Sequence, residues 1–154
     1  MPMLSDELFE TIIHNTPLIS IDLIIEDENK KILIGKRNNR PARGFWFVPG
    51  GRVLKDESLD DAFMRLTDIE LGTQISRRNA GFIGIYEHFY NDNFYNDEFS
   101  THYIVLAYKI TLNKAELILP EVQHNEYCWV SESELLNNGQ VHFNTKAYFL
   151  NHKG

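Results

Sequence analysis

The sequence predicts a layered α/β or α+β domain, and two observations indicate this class. Runs rich in β-branched and aromatic residues recur along the chain, and they are interspersed with a few segments of helical periodicity. The length of 154 residues is typical of one domain with a sizeable core. We therefore expect residues 1–154 to form a single domain, without internal repeats, linkers or low-complexity tracts.

The first third of the chain predicts one helix and three strands. Residues 5–14 form an amphipathic pattern behind a serine and two acids, and Pro17 ends it. Two β-branched runs, 18–25 and 31–35, are separated by a polar turn and predict a hairpin. A short aromatic strand over 45–48 then meets a strong breaker, Pro49-Gly50-Gly51.

The remaining elements follow the same two periodicities. A helix is expected from about residue 57 to Gly72, with Ser58 and Asp61 as its capping pair. Further strands are expected over 80–89, 102–112 and 127–130, and capping-box spacing at 131–134 together with the segment 144–152 predicts two closing helices. The polar and aromatic loop 90–100 is of the kind that contacts ligands.

Composition excludes several classes of function. A formal net charge of -7 disfavours nonspecific binding to nucleic acid or acidic lipid, so we expect no nucleic-acid partner. No apolar run approaches the roughly 20 residues that cross a bilayer, and the acidic start is unlike a signal peptide, so we expect a cytoplasmic protein without membrane contact. The single cysteine, Cys128, excludes an intramolecular disulfide, and its apolar surroundings predict a buried strand position without a catalytic role.

Positive charge is concentrated in one segment of this acidic chain. Seven of the 15 Lys and Arg residues fall between positions 30 and 52. Such a cluster suits a compact polyanion such as a diphosphate better than a polymer, which the remaining acidic surface would repel. Charge alone also fits a solvated basic face.

The aromatic strand, the Pro-Gly-Gly turn and the following helix resemble the Nudix box, the signature of hydrolases that act on nucleoside diphosphates linked to another group. Five fixed positions of that box match in register, namely Gly51, Glu57, Arg65, Glu70 and Gly72. Two usual acids are replaced by Leu66 and Ile69, which share one helix face with Glu70. A decayed box that merely packs its helix on the sheet would explain the same replacements.

A closer resemblance, to the GDP-mannose mannosyl hydrolase branch of the Nudix family, accounts for the reduced box. It covers nearly the whole chain and is carried by the strings at 16–22, 35–42, 45–53, 87–94, 101–103, 119–120 and 123–124. The resemblance implies an α/β/α sandwich around a mixed β-sheet, with the loop-helix-loop box at about 50–72. It also implies a homodimer that hydrolyses a nucleotide sugar, GDP-mannose or GDP-glucose.

The resemblance implies one Mg2+ per active site, with Mn2+ as a substitute. Its ligands would be the Glu70 carboxylate, the Gly50 carbonyl and the Gln123 side chain, all hard oxygen donors of the kind Mg2+ requires. Gln123 taken alone would be an ordinary surface amide. Glu57 is expected to pair with Arg65 and fix the loop.

The same resemblance assigns catalytic and substrate-binding roles. Arg37 would neutralise charge on the departing GDP, and Arg52 would hold the diphosphate or the sugar, because a guanidinium binds phosphate in two places. Asp22 would accept a hydrogen bond from a mannose hydroxyl, and the Tyr103 hydroxyl would donate to the diphosphate, although these two could also be ordinary strand residues. Further substrate contacts are expected from His88, Tyr90 and Asp92, whereas His14, His142 and His152 are expected to be bystanders.

His124 is the expected general base. Its unperturbed pKa of about 6.5 leaves the imidazole mostly neutral at pH 7, and it adjoins the predicted ligand Gln123. Water would attack the anomeric carbon with inversion, releasing GDP. Two alternatives remain at this point: ordinary Nudix attack on phosphorus, and a non-catalytic nucleotide-sugar sensor.

Overall fold

The computed structural model of the protein describes residues 4–119 and 124–150, with the backbone alone for 124 and 125. Four α-helices and seven β-strands make up the described fold. They are α1 (Asp6–Asn15), β1 (Leu18–Glu26), β2 (Ile32–Arg37), β3 (Trp46–Phe47), β4 (Gly50–Arg52), α2 (Leu59–Leu71), β5 (Gly81–Tyr90), β6 (Thr101–Thr111), β7 (His124–Val130), α3 (Glu132–Asn137) and α4 (Phe143–Leu150).

The strands form one mixed seven-stranded sheet. Its main path runs β3-β2-β1-β6-β5, while β4 pairs with β1 and β7 pairs with β2. β1 lies parallel to β6 along its whole length, and the other pairs are antiparallel. Helices cover both faces of this central strand, which is why its sequence is nearly continuously apolar.

Helices cover the sheet on both sides. Alternate residues of β1, among them Ile21 and Leu23, pack with Phe63 and Leu66 of α2 on one face. On the other face, Ile24 packs with residues of α3 and α4, including Leu135 and Phe149. This two-sided packing confirms the expected α/β/α sandwich. None of the helices in the described ranges is long and apolar enough to cross a membrane.

Local caps fix the box helix where the sequence predicts it. Ser58 accepts a hydrogen bond from the Asp61 backbone N–H at 3.1 Å, and Gly72 ends α2 in a left-handed conformation with φ 72°. A side chain at Gly72 would also overlap the backbone of Ile118, so both conformation and space require glycine there. The box therefore occupies the predicted loop-helix-loop position.

The predicted hairpin between the first two strands is confirmed, since Glu26 pairs with Ile32 in antiparallel register. Asp27 closes its turn by accepting hydrogen bonds from the backbone N–H groups of Asn29 and Lys31, both at 2.8 Å. The sequence predicted that residues 49–51 interrupt the sheet. This prediction is wrong in one respect, because the two glycines begin the short strand β4. Glycine permits this close approach, since a Cβ at position 50 would overlap the Ile21 carbonyl oxygen.

The prediction that Cys128 is buried is also wrong. The thiol is exposed, because on β7 it is the neighbouring Tyr127 and Trp129 that pack against the core on the α2 side of the sheet. The last helix begins one residue earlier than predicted, at Phe143, and residues 151 and 152 of that prediction lie outside the described ranges.

Candidate active site

The predicted site residues converge on one cavity of about 410 Å³. It opens where β1, β4, the end of α2 and the paired strands β5 and β6 meet. Eight of the residues to which the sequence assigned a catalytic, substrate-binding or metal-binding role line it, namely Asp22, Arg37, Gly50, Arg52, Glu70, His88, Tyr90 and Tyr103. They come from six different elements of the chain, so only the folded sheet brings them together.

Glu70 is the single residue of α2 that lines the cavity in the described part of the chain. It is only 3% exposed, and its Oε1 accepts a hydrogen bond from the Gly50 backbone N–H at 3.4 Å. Burial raises the pKa of this carboxyl to about 7, against the opposing effects of the Gly50 N–H and the Arg37 charge. Burial and a single long hydrogen bond leave the charged carboxylate with little stabilisation from the described groups, and a cation at this position would stabilise it.

The backbone of Gly50 faces the same space as the Glu70 carboxylate. The ladder between β1 and β4 is flanked by the hydrogen bonds Leu23 N–H to Pro49 O and Val53 N–H to Ile19 O, each at 2.8 Å. Asp22 and Gly50 are therefore a pair without hydrogen bonds, and in an antiparallel ladder both backbone groups of such a residue point away from the partner strand. The Gly50 carbonyl is thus directed away from β1, on the side where its N–H meets Glu70.

Asp22 is a second perturbed carboxyl in the cavity. Burial raises its pKa to about 6, although a hydrogen bond from the Tyr148 hydroxyl and the charge of Arg37 lower it. Tyr148 donates its hydrogen bond to Asp22 Oδ2, and its oxygen lies 3.3 Å from His88 Nε2. Burial lowers the pKa of His88 to about 4, so its imidazole is neutral at pH 7. A buried chain of Asp22, Tyr148 and His88 thus holds one wall of the cavity.

Two arginines supply positive charge. The Arg37 guanidinium lies 5.3 Å from the ring centroid of Phe47, and that of Arg52 lies 4.6 Å from the ring centroid of Phe9 on α1. Neither guanidinium forms an ion pair with a carboxylate in the described ranges. Arg37 Nε donates to the Asn39 carbonyl at 3.5 Å. Each arginine therefore packs on an aromatic ring, and the terminal guanidinium nitrogens, which form no ion pair in the described ranges, can bind an anion.

At the other end of the box, Glu57 and Arg65 form a hydrogen-bonded ion pair, as predicted. We call this pair the lock. Arg65 Nε lies 2.6 Å from Glu57 Oε2, and Arg65 Nη2 donates to Glu57 Oε1 at 3.0 Å and to the Arg52 carbonyl at 2.8 Å. Glu57 also accepts from the Leu54 N–H at 3.0 Å, and the hydrogen bonds from Arg65 lower the pKa of its carboxyl. The lock fixes the loop that carries Arg52.

Three predicted residues are not placed at the cavity wall. Asp92 is not among the lining residues: its carboxylate lies 3.7 Å from Arg40 Nε, and its carbonyl accepts a hydrogen bond from the Thr101 hydroxyl. Its contact with the substrate stays a prediction. Gln123 lies outside the described residues. The backbone of His124 pairs with Arg37, which brings β7 to the cavity edge, but its side chain is not described.

Sequence reasoning missed several lining residues and one residue behind the wall. Ser20, Asn38, Asn39 and Phe47 line the cavity without having been predicted, whereas Phe94 belongs to the loop 90–100 that was expected to contact ligands. Tyr148 was missed because its contact with Asp22 joins residues 126 positions apart, and nothing local marks a tyrosine on a closing helix. His142, expected to be a bystander, stacks on Phe47 with 4.8 Å between ring centroids and so supports the ring beneath Arg37.

The oxygen donors at the cavity are of the kind that a hard divalent cation prefers. Within the described ranges, no three His, Cys, Asp or Glu side chains come together as a complete site. The available donors are one buried carboxylate and a carbonyl directed beside it, with Asp22 nearby. Such hard oxygen donors suit Mg2+ or Mn2+ held jointly with phosphate oxygens and water.

Comparisons with known proteins agree with the fold. The NUDIX domain model matches residues 16–150. A curated relative, the low-salt glycan biosynthesis protein Agl8 of Haloferax volcanii, is 41% identical over 121 residues, which cover 79% of this chain and 75% of that protein. An ADP-ribose pyrophosphatase of Methanocaldococcus jannaschii is 36% identical over 70 residues, 46% of this chain and 40% of that protein.

A solved structure of a related protein has the same fold. The MutT protein of Methanosarcina mazei superposes with a TM-score of 0.72 at 24% identity, over 88% of this chain and 92% of that one. The match of the domain model to most of the chain, together with the box helix and its cavity, shows that the chain belongs to the Nudix hydrolases, which cleave nucleoside diphosphates linked to another group.

Proposed function

We propose that the protein is a Mg2+-dependent hydrolase of GDP-α-D-mannose that releases GDP and the β-sugar by attack of water on the anomeric carbon. The observation that carries this proposal is the reduced metal face of α2. Glu70 alone among the described residues of that helix lines the cavity, while Leu66 is buried in the core and Ile69 is 43% exposed. A single helical carboxylate suits one cation on a diphosphate leaving group.

The metal would be held by Glu70, the Gly50 carbonyl and, by resemblance, Gln123. The buried Glu70 carboxyl with its raised pKa and the direction of the Gly50 carbonyl support this set. When bound, Mg2+ would offset the charge of the diphosphate and so make GDP a better leaving group.

The two arginines would also bind the diphosphate of the leaving GDP. Arg37 and Arg52 line the cavity without an ion-pair partner in the described ranges, so their guanidinium donors can bind the diphosphate oxygens. Charge that develops on GDP as the bond breaks would be stabilised by these fixed donors. Tyr103 also lines the cavity, and burial raises the pKa of its hydroxyl, which keeps it protonated as a donor to the diphosphate.

The reaction we propose is a direct displacement. The water oxygen forms a bond to the anomeric carbon, and the bond from that carbon to the GDP oxygen breaks with its electron pair. His124 accepts the proton from water, and Asp22 binds a sugar hydroxyl, held in place by Tyr148. His88 and Tyr90 complete the wall of the sugar and nucleotide cavity. Displacement from the opposite face inverts the sugar.

The relatives support a nucleotide sugar as the substrate class. A glycan biosynthesis protein at 41% identity fits a chain that handles activated sugars. The partial match to an ADP-ribose pyrophosphatase favours a second candidate, attack on phosphorus in a nucleoside diphosphate sugar. We further propose that the chain acts as one Nudix unit within a homodimer.

One experiment separates the candidates. The protein is incubated with GDP-mannose and Mg2+ in water labelled with heavy oxygen, and the label is located by mass spectrometry. Label in mannose supports attack on carbon. Label in a phosphate product would establish attack on phosphorus, and binding without turnover would leave a nucleotide-sugar sensor.

The base is tested by His124→Gln. We expect this variant to bind GDP-mannose as the wild type does and to turn over about 100-fold or more slowly, in the range typical of a lost general base. A matched control is His14→Gln, because His14 lies in the last turn of α1, stacks on Phe99 and does not line the cavity. Unchanged turnover in the His124 variant would remove it as the base.

A further inference from the structure

The connection between β5 and β6 contacts the supports of both cavity arginines. The part concerned, residues 92–99, contributes Phe94 to the wall of the cavity. On one side it contacts α1, which carries the aromatic ring on which Arg52 packs. On the other side it contacts the segment 38–44, which directly follows Arg37. The 92–99 loop therefore links the two guanidinium groups that line the cavity.

The contact with α1 is both aromatic and polar. The Phe9 ring, on which the Arg52 guanidinium packs, meets the Tyr95 ring edge to face, with 6.3 Å between the ring centroids. The Tyr95 hydroxyl donates a hydrogen bond to Asp6 Oδ1 at 3.1 Å, which fixes the tyrosine on the helix. Because Phe9 contacts both Tyr95 and Arg52, a movement of the loop would displace the ring on which Arg52 packs.

The contact with the segment 38–44 is ionic. Arg40 Nη1 lies 2.8 Å from Asp97 Oδ1, and Arg40 Nε lies 3.7 Å from Asp92 Oδ2. Although this arginine belongs to the basic stretch of the sequence, its charge is directed at the loop. One exposed ion pair contributes little, but a guanidinium between two carboxylates also offsets the repulsion between them.

Hydrogen bonds connect this segment to Arg37. The Arg37 N–H donates to the Phe45 carbonyl at 2.9 Å, and the Gly44 N–H donates to the Arg37 carbonyl at 3.0 Å. The side chain is bonded as well, since Arg37 Nε donates to the carbonyl of Asn39, the residue before Arg40. A shift of Arg40 would therefore reach the Arg37 guanidinium through one peptide unit.

Asn93 holds the loop in one conformation. The residue is completely buried, and its side-chain amide uses both donors and both acceptor positions. Nδ2 donates to Asn96 Oδ1 and to the Phe99 carbonyl, both at 2.9 Å. Oδ1 accepts from the N–H groups of Tyr95 at 2.8 Å and Asn96 at 3.0 Å. These four bonds fix the aromatic contact through Tyr95 relative to the ionic contact through Asp97.

We propose that Asn93 is a positioning residue for diphosphate binding, which acts through the 92–99 loop to hold Arg37 and Arg52 at a fixed position relative to each other. Two guanidinium groups that are placed in advance lose less conformational freedom when a diphosphate binds. Asn93 is not among the residues that line the cavity, so its effect is indirect. The assignment rests on the diphosphate-binding role proposed above for the two arginines, whichever bond the enzyme cleaves.

Nuclear magnetic resonance of the ligand-free protein tests the positioning directly. The Nε–H signals of Arg37 and Arg52 are assigned by their absence from the spectra of Arg37→Lys and Arg52→Lys. Asn93→Asp places a carboxylate oxygen against the two oxygens that now accept from Nδ2, so both arginine signals are expected to shift. Asn79→Asp is the matched control, because Asn79 is exposed before the opposite end of β5 and does not line the cavity, and it should move neither signal.

Two milder variants separate the two contacts of the loop. Arg40→Gln removes the ionic contact and is expected to shift the Arg37 signal while the Arg52 signal stays in place. Tyr95→Leu removes the ring against Phe9 and is expected to shift the Arg52 signal while the Arg37 signal stays in place. Both substitutions lie in surface segments, so they test the proposal even where Asn93→Asp does not fold.

Calorimetric titration with GDP and Mg2+ measures the consequence for binding. Asn93→Asp is expected to weaken GDP binding by about tenfold, because buried hydrogen bonds are replaced by repulsion. Arg40→Gln should weaken it by about threefold, as suits a partly exposed ion pair, and Asn79→Asp should bind as the wild type does.

The proposal is overturned if a folded Asn93→Asp protein keeps both arginine signals in place or binds GDP with wild-type affinity. It is equally overturned if Arg40→Gln and Tyr95→Leu leave both arginine signals unmoved. Since the spectra are recorded without substrate, the positioning test can fail while the hydrolysis assay succeeds, and it can succeed while that assay fails.

Discussion

The two acids retained in the Nudix box, Glu57 and Glu70, lie in opposite electrostatic environments. The Glu57 carboxylate is stabilised by its neighbours. Both oxygens accept hydrogen bonds from Arg65, one also accepts from the Leu54 N–H, and the pKa of the carboxyl is lowered. Glu70 has one long hydrogen bond from Gly50 and a pKa raised to about 7 by burial. Glu57 is thus a fully hydrogen-bonded structural residue at one end of the motif, whereas Glu70, at the other end, is a carboxylate that the described groups stabilise only in part.

The difference indicates that one glutamate of the motif has a structural role and the other is available to bind a ligand. A carboxylate that the protein fully solvates by its own donors has little capacity left for a ligand. A buried carboxylate that lacks such donors costs stability when charged, and a cation would recover that cost. The comparison predicts that removing Glu57's partner harms folding, whereas changing Glu70 harms turnover.

The largest expected effect is on catalysis. Glu70→Gln keeps the size of the side chain and removes its charge, so turnover of GDP-mannose should fall by about 1,000-fold, the equivalent of about 4 kcal/mol of lost charge stabilisation. Steady-state assays at saturating Mg2+ measure the effect. Asp68→Asn on the exposed side of the same helix is the control and should retain activity. Equal losses in both variants would show that the effect comes from helix charge in general.

The next effect is on stability. Arg65→Gln leaves the nearly buried Glu57 carboxylate without its ion pair, so we expect the free energy of unfolding to fall by about 2–3 kcal/mol. Urea denaturation measures it. Lys55→Gln, in an exposed pair with Asp56, should change stability by less than about 0.5 kcal/mol. A loss of turnover without a loss of stability in Arg65→Gln would contradict the structural role of the lock.

A smaller effect is expected on the pH dependence of the metal-free protein. The folded pKa of Glu70 is raised above its unfolded value of 4.5, so its contribution is most favourable below pH 4.5 and is lost as pH rises through about 7. Metal-free Glu70→Gln should therefore be more stable than the wild type at pH 8, by on the order of 1 kcal/mol, with the difference vanishing near pH 5. Comparing the two proteins cancels the opposing titration of His88. A stability difference between Glu70→Gln and the wild type that grows as the pH falls would contradict the raised pKa of Glu70.

The smallest effect concerns the wall of the cavity. Tyr148→Phe removes the hydroxyl that holds Asp22, so KM for GDP-mannose should rise by about tenfold with a smaller change in kcat, because the contact serves sugar binding. Tyr86→Phe is the control, since the Tyr86 ring packs on Tyr148 with 4.7 Å between centroids, whereas the hydrogen bond to Asp22 comes from Tyr148. A fall in kcat with KM unchanged would instead place Tyr148 in the chemical step.

The sequence predicted most of the fold because its signals are local. The caps at Ser58 and Gly72, the hairpin turn at Asp27 and the capping box at Ser131 each depend on neighbours within a few residues. The errors arose where burial depends on distant partners. Cys128 lies in an apolar run yet is exposed, since the face of β7 on which it lies is open at that position.

The site was predictable only in part for the same reason. The spacing of the box gave Glu57, Arg65 and Glu70, because those positions share one loop and one helix. Tyr148 and the aromatic support of Arg37 by Phe47 and His142 depend on contacts across the sheet, which no local pattern records. Asp92, predicted to contact the substrate, lies near Arg40 and not on the cavity wall, and no local pattern indicates that pairing.

Metal binding itself tests the contrast between the two carboxylates most directly. Electron paramagnetic resonance can follow the binding of Mn2+ to the wild type, to Glu70→Gln and to Glu57→Gln in the presence of GDP. We expect one tightly bound ion per chain in the wild type, its loss in Glu70→Gln, and its retention in whatever fraction of Glu57→Gln remains folded. Undiminished Mn2+ binding by a folded Glu70→Gln protein would contradict the account.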